Sequence, residues 1–285
     1  MSVFVQQQAT ECHFTGSDSW IILSPIEQSI KRKIEAVGTP LKDWDINIYR
    51  GILTGYNDAF IISTEKRNEI LANCKNEEEH KKTAELIRPI LRGRDIRRYS
   101  YDWANLWLIN THNGIKGKIP RIQIENYPAI KAHLDEYWEK ISTRADKGDT
   151  PYNLRNCAYM EDFSKPKIVW GNLNLTSNYA LVENDSFINA PSSMIVPASN
   201  YLLAILNSKL ADFYIRLLGV TRNGGYFEYK PMFIEQLPVP LLDINDIKQA
   251  QIKKLIEDKN YVELEYIVYN IYGLSQDEIN YVNSL

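Results

Sequence analysis

The pattern of apolar positions predicts a helix near the start of the chain. Isoleucines recur at every fourth position from residue 26 to residue 34, which places them on one helical face. Ser24 and Glu27 have the spacing of a capping box, and a proline occupies the first helical position. Gly38 follows the last turn. We therefore predict a helix over residues 25–37.

Short apolar runs alternate with longer helical patterns in the middle of the chain. The runs predict strands in residues 46–62, as two strands around the loop GILTGYNDAF, and in residues 107–109, 167–172 and 179–183. The helical periods lie in residues 65–73, 77–91 and 130–143, and in a long helix capped by Ser199 that ends near Gly219.

The end of the sequence contains three further helical patterns. They cover residues 246–259 and 262–272 and a third helix that Ser275 opens, with Glu278 completing a capping box. The elements together predict a mixed α/β (α+β) fold. We expect a small mixed or antiparallel sheet flanked by helices and followed by a helical C-terminal tail. The predicted domains are residues 1–240 and the tail, residues 241–285.

Charge is distributed unevenly around a net value of −3. Residues 88–170 contain 15 Lys and Arg against 10 Asp and Glu, a net charge of +5. Residues 241–285 contain 4 Lys against 8 Asp and Glu, a net charge of −4. The basic middle suits an anionic partner, whereas the average charge would argue against one. Apolar residues make up 44% of the chain, as in ordinary globular proteins.

Patterns typical of enzymes or metal sites are missing from the sequence. It contains neither a G-x-S-x-G elbow nor the glycine fingerprints of nucleotide-binding loops. The three cysteines are widely spaced, and only Cys12 has a histidine beside it, so we expect no metal site and a reducing cytoplasm. Glu161 and Asp162, followed by Lys165 and Lys167, loosely suggest a metal-dependent nuclease core, but FSKPKIVWG lacks the acid that such a strand carries.

A more specific signal is the cluster of arginines in residues 88–98. Five arginines lie next to tyrosines and tryptophans, and an arginine can form two hydrogen bonds to a phosphate or to a guanine edge. Two alternatives remain open at this point. The segment either contacts a nucleic acid or is a solvated face in which RGRDI forms a buried Arg–Asp pair through Asp95.

Eight motifs in a fixed order give the chain a family resemblance. They are YRGILTGYNDAFII, LIRPILRGRDIRRY, WLINT, YPAIKAHLDEY, RADKGDTPYNLRNCAY, FSKPKIVWGN, LLAILNSKLADFYIR and GGYFEYKPMFIEQLPVP. This succession, over roughly residues 20–240, resembles the TaqI-like C-terminal specificity domain. That domain is the target-recognition part of adenine-N6 DNA methyltransferases and type IIG restriction-modification enzymes. The tail motif VELEYIVYNIYGLSQDEI is also similar to the end of such proteins.

The resemblance implies that the chain recognises a double-stranded DNA sequence. It implies a separate methyltransferase, as a domain in cis or a subunit in trans, which binds S-adenosylmethionine and flips the target adenine. A nuclease that uses Mg²⁺ is a further possible part of the parent protein. The chain contains no Asn-Pro-Pro motif, so we expect no catalytic residue, cofactor or metal in it. Two other interpretations are a protein-interaction module, with the tail docking a partner subunit, and a stand-alone divergent nuclease.

The resemblance and the chemistry of base edges together nominate candidate DNA contacts. Amides and guanidinium groups suit base edges, basic side chains suit phosphates, and glycine-rich loops allow a close approach of the backbone. The candidates are Thr54, Tyr56, Asn57, Arg92, Arg94, Arg97, Arg98, Lys116, Lys118, Arg144, Arg155, Arg222, Asn223 and Tyr226.

Overall fold

A computed structural model describes residues 23–241 and 246–285 of the chain. The strands in these ranges are β1 (Thr39–Pro40), β2 (Asn47–Arg50), β3 (Ile61–Ser63), β4 (Ile87–Leu91), β5 (Ile96–Arg97), β6 (Ser100–Tyr101), β7 (Leu106–Ile109), β8 (Lys167–Trp170), β9 (Leu173–Asn174), β10 (Tyr179–Val182), β11 (Phe187–Ile188), β12 (Ser193–Val196), β13 (Phe227–Glu228) and β14 (Pro238–Val239).

The α-helices in the same ranges alternate with these strands and then dominate the end of the chain. They are α1 (Pro25–Val37), α2 (Asn57–Phe60), α3 (Thr64–Ala72), α4 (Glu77–Leu86), α5 (Pro128–Asp135), α6 (Trp138–Thr143), α7 (Asn200–Leu206), α8 (Lys209–Leu218), α9 (Pro231–Ile234), α10 (Asp246–Glu257), α11 (Tyr261–Ile271) and α12 (Gln276–Ser284). The predicted mixed α/β fold with small, mainly antiparallel sheets and a helical tail is confirmed.

The chain divides into two compact units. The described residues of unit 1 lie within Met1–Asp45, Asn174–Ser177 and Asn200–Leu285. Unit 2 consists of Ile46–Leu173 and Asn178–Ser199. These units do not follow the predicted division at residue 240, because the tail shares unit 1 with the first helix and with α7–α9. The predicted first domain begins at residue 1, outside the described residues, and the predicted division into two domains stays a prediction.

Unit 2 contains two four-stranded sheets. The first has the order β10-β8-β12-β2, and its neighbouring strands pair antiparallel. Every side chain of β8 and β12 is buried, which fits the three consecutive apolar residues that follow Lys167 in β8 and Ser193 in β12. The second sheet has the order β11-β4-β7-β3; β4 pairs antiparallel with β7 and parallel with β11. The apolar cores of both sheets come from segments far apart in sequence.

The loop GILTGYNDAF connects these two sheets rather than the two strands of a hairpin. β2 before it pairs with β12, and β3 after it pairs with β7. The two predicted strands are therefore present, but they do not pair with each other. Ala59 and Phe60, in the short helix α2, are fully buried and anchor the end of the connection.

Three predicted helices end or break earlier than their apolar patterns suggest. The helix predicted over residues 77–91 ends at Leu86, because the last five residues form β4. The pattern over residues 130–143 is divided into α5 and α6, and Trp138, at the start of α6, is 45% exposed. The long helix after Ser199 is divided into α7 and α8, and Ser208 caps the second part through the amide of Ala211.

Unit 1 joins helices from the two ends of the described chain. The capping boxes of α1 and α12 are both formed as predicted. The carboxylate of Glu278, in the second box, accepts hydrogen bonds from the Lys33 ammonium at 2.6 Å and from the Ser29 hydroxyl at 2.7 Å. Burial raises the pKa of Glu278, but these donors and the Ser275 amide outweigh it and lower the pKa to about 2.

The tail is part of the core of unit 1. Leu264, Val268, Tyr269, Ile279 and Val282 are buried. Removal of residues 241–285 would therefore expose the surfaces of unit 1 against which α11 and α12 pack.

None of the described helices has the length and apolar character needed to cross a membrane. Among the described residues, no group of three or more His, Cys, Asp or Glu side chains is placed to hold a metal ion. Cys12 and its neighbouring histidine lie outside the described residues.

Candidate nucleic-acid interface

The GILTGYNDAF loop packs against a second loop of unit 2, residues 144–153. Gly55 has a φ of +68°, the left-handed conformation that glycine tolerates best. A Cβ atom at this position would lie 2.6 Å from the carbonyl oxygen of Asp146 and 2.8 Å from Cδ of Arg144. The two loops are therefore in such close contact that no side chain fits between them.

The predicted contact residues of this loop divide into two kinds. Thr54 is buried, and its hydroxyl donates a hydrogen bond to Oδ1 of Asn57 at 2.6 Å. Tyr56 is half-buried against Tyr137, with ring centroids 6.1 Å apart. Asn57 is exposed, and its amide group is directed by the bond from Thr54. The geometry assigns Thr54 and Tyr56 to the support of the loop and leaves Asn57 available to a ligand.

Arg144 holds the loop of residues 144–153 in place through hydrogen bonds to its backbone. Its guanidinium is buried and donates to the carbonyl oxygens of Pro151 at 2.7 Å and Asn153 at 2.6 Å. It also lies 4.3 Å from the ring centroid of Phe60. Burial lowers its pKa to about 10, so the group is still charged at neutral pH. Contrary to the prediction that Arg144 faces DNA, its donors are directed at the backbone of residues 144–153.

The arginines of residues 88–98 are mostly engaged with neighbouring groups. Arg92 donates through Nη2 to Oδ1 of Asp95 at 2.7 Å and through Nε to Oδ2 at 3.0 Å. Asp95 is buried, so RGRDI does contain the Arg–Asp pair that the sequence left as an alternative. Arg88 pairs with Asp185, and Arg97 pairs with Asp102 at 3.2 Å.

Two other arginines of this segment have different surroundings. Arg98 lies with its guanidinium carbon 5.2 Å from the ring centroid of Tyr99. Arg94 is exposed, and among the described residues its side chain has no ion-pair partner. Arg94 is therefore available to a phosphate.

A short hairpin in residues 113–121 forms the wall of a cleft. The amide of Ile115 donates to the carbonyl oxygen of Ile119 at 2.8 Å, and the reverse bond is 2.9 Å long. Gly117, with a φ of +75°, allows the tip to turn. Lys116 and Lys118 are exposed at this tip; Lys118 pairs with Glu161, whereas Lys116 makes no ion pair with a described residue.

The cleft beside this hairpin has a volume of about 830 Å³. Its opposite side is formed by Asp149 and residues 156–158. A smaller cavity of about 220 Å³ adjoins it, since both are lined by Asn156 and Cys157. Arg50 and Arg155 line the smaller cavity, and Arg155 donates to Oδ1 of Asp146 at 2.9 Å. Loops that are separate in the sequence thus form one concave surface with both polar and apolar groups in its lining.

Asparagine side chains organise the larger cleft. Nδ2 of Asn113 donates to Oδ1 of Asn156 at 2.5 Å and to Oδ1 of Asp149 at 3.0 Å. Oδ1 of Asn113 accepts from the backbone amide of Asp149 at 2.9 Å. The hairpin and the opposite loop are therefore connected by hydrogen bonds. Amides and charged groups, which match the donors and acceptors on base edges, line the space between them.

Cys157 gives this surface no reactive thiolate. Burial raises the pKa of its thiol to about 11, so the sulfur is protonated at neutral pH.

The lysine that suggested a nuclease core is also unsuited to that role. Lys167 is fully buried, and its ammonium donates to the carbonyl oxygens of Phe163 at 2.7 Å and Asn184 at 2.8 Å. Burial lowers the pKa of Lys167 to about 8. Asp162 pairs instead with Lys165, so the acid and the buried lysine do not share a site.

The second predicted contact loop belongs to unit 1. Gly224 and Gly225 have φ values of +77° and +80°. Asn223 and Tyr226 are exposed there, whereas Arg222 donates through Nε to Oε1 of Glu228 at 2.6 Å. Hydrogen bonds from Lys230 and Arg222 hold the pKa of Glu228 below its usual range. Arg222, Asn223 and Tyr226 are all exposed, but the charge of Arg222 is paired with Glu228.

Sequence reasoning missed several residues of the cleft. Arg50, Asn113, Arg121 and Asn156 line it or the adjoining cavity but were not among the candidates. Arg50 and Asn156 lie inside motifs that carried the resemblance, so their polar character was a usable signal. No signal in the sequence pointed to Arg121, because its position in the cleft follows from the pairing of the hairpin.

Comparison with known families finds a match for the region that contains this surface. The model of the TaqI-like C-terminal specificity domain matches residues 88–239, more than half of the chain, including the hairpin and the cleft. No curated protein matches the chain.

Two solved structures resemble the fold. The type IIG restriction endonuclease BpuSI matches with a TM-score of 0.54 and 14% identity over 82% of this chain and 28% of its own. The type IIL restriction-modification enzyme MmeI, in complex with DNA, matches with a TM-score of 0.61 and 13% identity over 87% of this chain and 37% of its own. This chain thus spans little more than a third of either protein at most, and the similarity shows a shared fold.

Proposed function

Because this chain belongs to the TaqI-like C-terminal specificity domain family, we propose that it recognises a DNA sequence for a restriction-modification enzyme. The observation that carries the proposal is the cleft bounded by residues 113–121 and 156–158, which lies inside the matched region. Sequence recognition needs amides and guanidinium groups for base edges and cations for phosphates. The cleft and the adjoining cavity present both kinds of group.

The proposal extends to the protein of which this chain forms the recognition part. It positions an S-adenosylmethionine-dependent adenine-N6 methyltransferase, in cis or in trans, on its target in the bacterial cytoplasm. A nuclease that requires Mg²⁺ is the optional third component. In this arrangement the methyltransferase binds the cofactor and the flipped adenine, and the present chain selects the site.

Binding of a labelled DNA duplex at several salt concentrations tests the proposal. We expect affinity to fall at least tenfold between 50 and 200 mM salt, because bound phosphates displace counterions. The double variant Arg50→Ala/Lys116→Ala removes two cations that have no described ion-pair partner, and it is expected to weaken binding. Arg88→Ala is the matched control, since Arg88 is paired with Asp185. Affinity that stays constant across the salt series would contradict the proposal.

Asn57 provides a test of sequence-specific contact. Its exposed amide is oriented by Thr54 and offers a donor and an acceptor of the kind that adenine requires. Asn57→Ala is therefore expected to weaken specific binding more than non-specific binding, as measured by competition with unrelated duplexes. Equal losses for both would assign the residue to the support of the loop.

A second candidate role, docking of the methyltransferase, rests on α11. Val262 and Tyr266 lie one turn apart and are 69% and 45% exposed, although other residues of the helix are buried. The double variant Val262→Glu/Tyr266→Glu changes this face without removing the buried packing of the tail. Co-purification with the methyltransferase should be lost while DNA binding by the chain alone is kept. Unchanged co-purification would rule out this surface.

A further inference from the structure

Arg121 is held in a fixed position on the wall of the larger cleft. Its Nη1 donates to Oδ2 of Asp149 at 3.2 Å, and its Nη2 faces Oε1 of Gln123 at 3.4 Å. Asp149 is in turn bonded through its amide and its carboxylate to Asn113. The guanidinium is therefore oriented by groups on both terminal nitrogens, and one of them is itself held by the hairpin.

The remaining donors of Arg121 suit a ligand with two adjacent acceptors. Each terminal nitrogen of a guanidinium has two N–H groups, and each here uses one of them on a neighbour. The side chain is 30% exposed toward a cleft of about 830 Å³. A guanine edge in the major groove presents the O6 and N7 acceptors side by side, and arginine is the residue that most often binds them.

The neighbouring carboxylate, that of Asp149, favours a base edge over a phosphate as the ligand of Arg121. Asp149 is 63% exposed and directly beside Arg121, so it opposes the approach of an anion. A base edge carries no net charge, so the carboxylate opposes its approach less than it opposes that of a phosphate. Lys116 on the same hairpin has no such partner among the described residues and is suited to a phosphate.

We propose that Arg121, positioned by Asp149, is the subsite of the cleft that recognises a guanine base edge. The inference rests on the proposed function and specifies which base one part of the surface selects.

Selection from a random duplex library, followed by sequencing, tests the inference with the full 285-residue chain. The wild-type chain should enrich a motif that contains a guanine. Arg121→Ala should lose the preference at that one position by about 10- to 100-fold. Arg121→Lys keeps the charge but cannot form two parallel bonds, so it should lose the same preference while the salt dependence of binding stays unchanged.

Two further variants separate positioning from direct contact. Asp149→Asn should reduce discrimination at the same position and increase affinity for unrelated duplexes, because the repelling charge is removed. Lys116→Ala should leave the motif unchanged and lower the slope of log affinity against log salt by about 0.9. Thermal unfolding of each variant establishes that the fold is retained.

The possible failures are distinguishable. A motif that is unchanged in Arg121→Ala would overturn this inference and leave the proposed function intact. A reduced salt slope in Arg121→Ala, with the motif retained in Arg121→Lys, would assign Arg121 to a phosphate instead. A wild-type chain that enriches no motif would overturn the proposed function and the guanine subsite together.

Discussion

Two basic regions of unit 2 differ in what their charges do. The segment of residues 88–98 has the higher density of arginine, yet Arg92 and Arg97 are paired with carboxylates inside or beside the segment. The hairpin of residues 113–121 has three cations: Lys118 and Arg121 are paired with Glu161 and Asp149, and Lys116 is exposed without a described partner. The density of charge in a sequence therefore does not measure the charge available to a ligand. The position of the nearest carboxylate decides it.

The largest expected difference between the regions concerns stability. Arg92→Ala leaves the buried carboxylate of Asp95 without its guanidinium, which should lower the free energy of unfolding by about 3 kcal/mol. Arg94→Ala, two residues away, should change it by less than about 0.5 kcal/mol and weaken DNA binding instead. Urea denaturation measures both. Equal destabilisation by the two variants would remove the distinction between a supporting and a presented arginine in this segment.

Glycine substitutions compare the stability cost of a Cβ atom in the packed GILTGYNDAF loop with its cost at the solvent-exposed tip of the hairpin. Gly55→Ala combines a positive φ with a Cβ 2.6 Å from a carbonyl oxygen and should cost about 3 kcal/mol of stability. Gly117→Ala has a similar φ, but no heavy atom lies within 4 Å of its Cβ, so it should cost only about 1 kcal/mol. Thermal and urea unfolding of both variants test this. Similar costs would mean that the contact between the two loops contributes little.

A pH series distinguishes the buried lysine from the exposed ones. Burial lowers the pKa of Lys167 to about 8, so between about pH 8 and 10 the unfolded chain binds more protons than the folded chain. Stability should therefore gain up to about 2 kcal/mol from Lys167 as pH rises through this window, and Lys167→Met should lack this gain. Lys116→Met is the matched exposed control and should keep it. Urea titrations of the wild-type chain and both variants at half-unit pH intervals provide the measurement, because the difference between chains cancels the ionisation of the unfolded tyrosines, whose pKa is about 10.

The smallest expected effect is on the salt dependence of DNA binding. Lys116→Ala removes a cation without a described carboxylate partner and should lower the slope of log affinity against log salt by about 0.9. Arg97→Ala removes a cation that Asp102 already partly neutralises, so its slope should change less. Fluorescence anisotropy over a salt series is sufficient. A larger change for Arg97 would reverse the assignment of the two regions.

Local signals in the sequence predicted the parts of the fold that depend on local chemistry. The capping boxes at Ser24 and Ser275 gave the starts of α1 and α12, and the apolar run of β8 gave a buried strand. The break between α7 and α8 was missed because the apolar stripe continues across it. Its signal was Ser208, whose hydroxyl accepts from an amide three residues later.

The candidate site was less accessible to sequence reasoning, because it depends on contacts between distant segments. Asn57 was selected from a turn pattern, and the structure leaves it exposed. Arg144 was selected for its charge and is buried among carbonyl oxygens. Arg121 was not selected, because its environment requires the hairpin and the loop at Asp149 to meet. A side chain's type could be predicted to suit DNA, but its partners could not.

The hydrogen bond between Ser29 and Glu278 joins positions 249 residues apart in the chain. A ribosome therefore has to synthesise almost the whole described sequence before this contact can form. Unit 2, confined to Ile46–Leu173 and Asn178–Ser199, has all of its segments available much earlier. Because domains generally fold as units during synthesis, we expect the two sheets to be complete while α1 is still without α12. During this interval α1, α7 and α8 lack the tail helices against which they pack, so we expect unit 1 to complete its fold after unit 2.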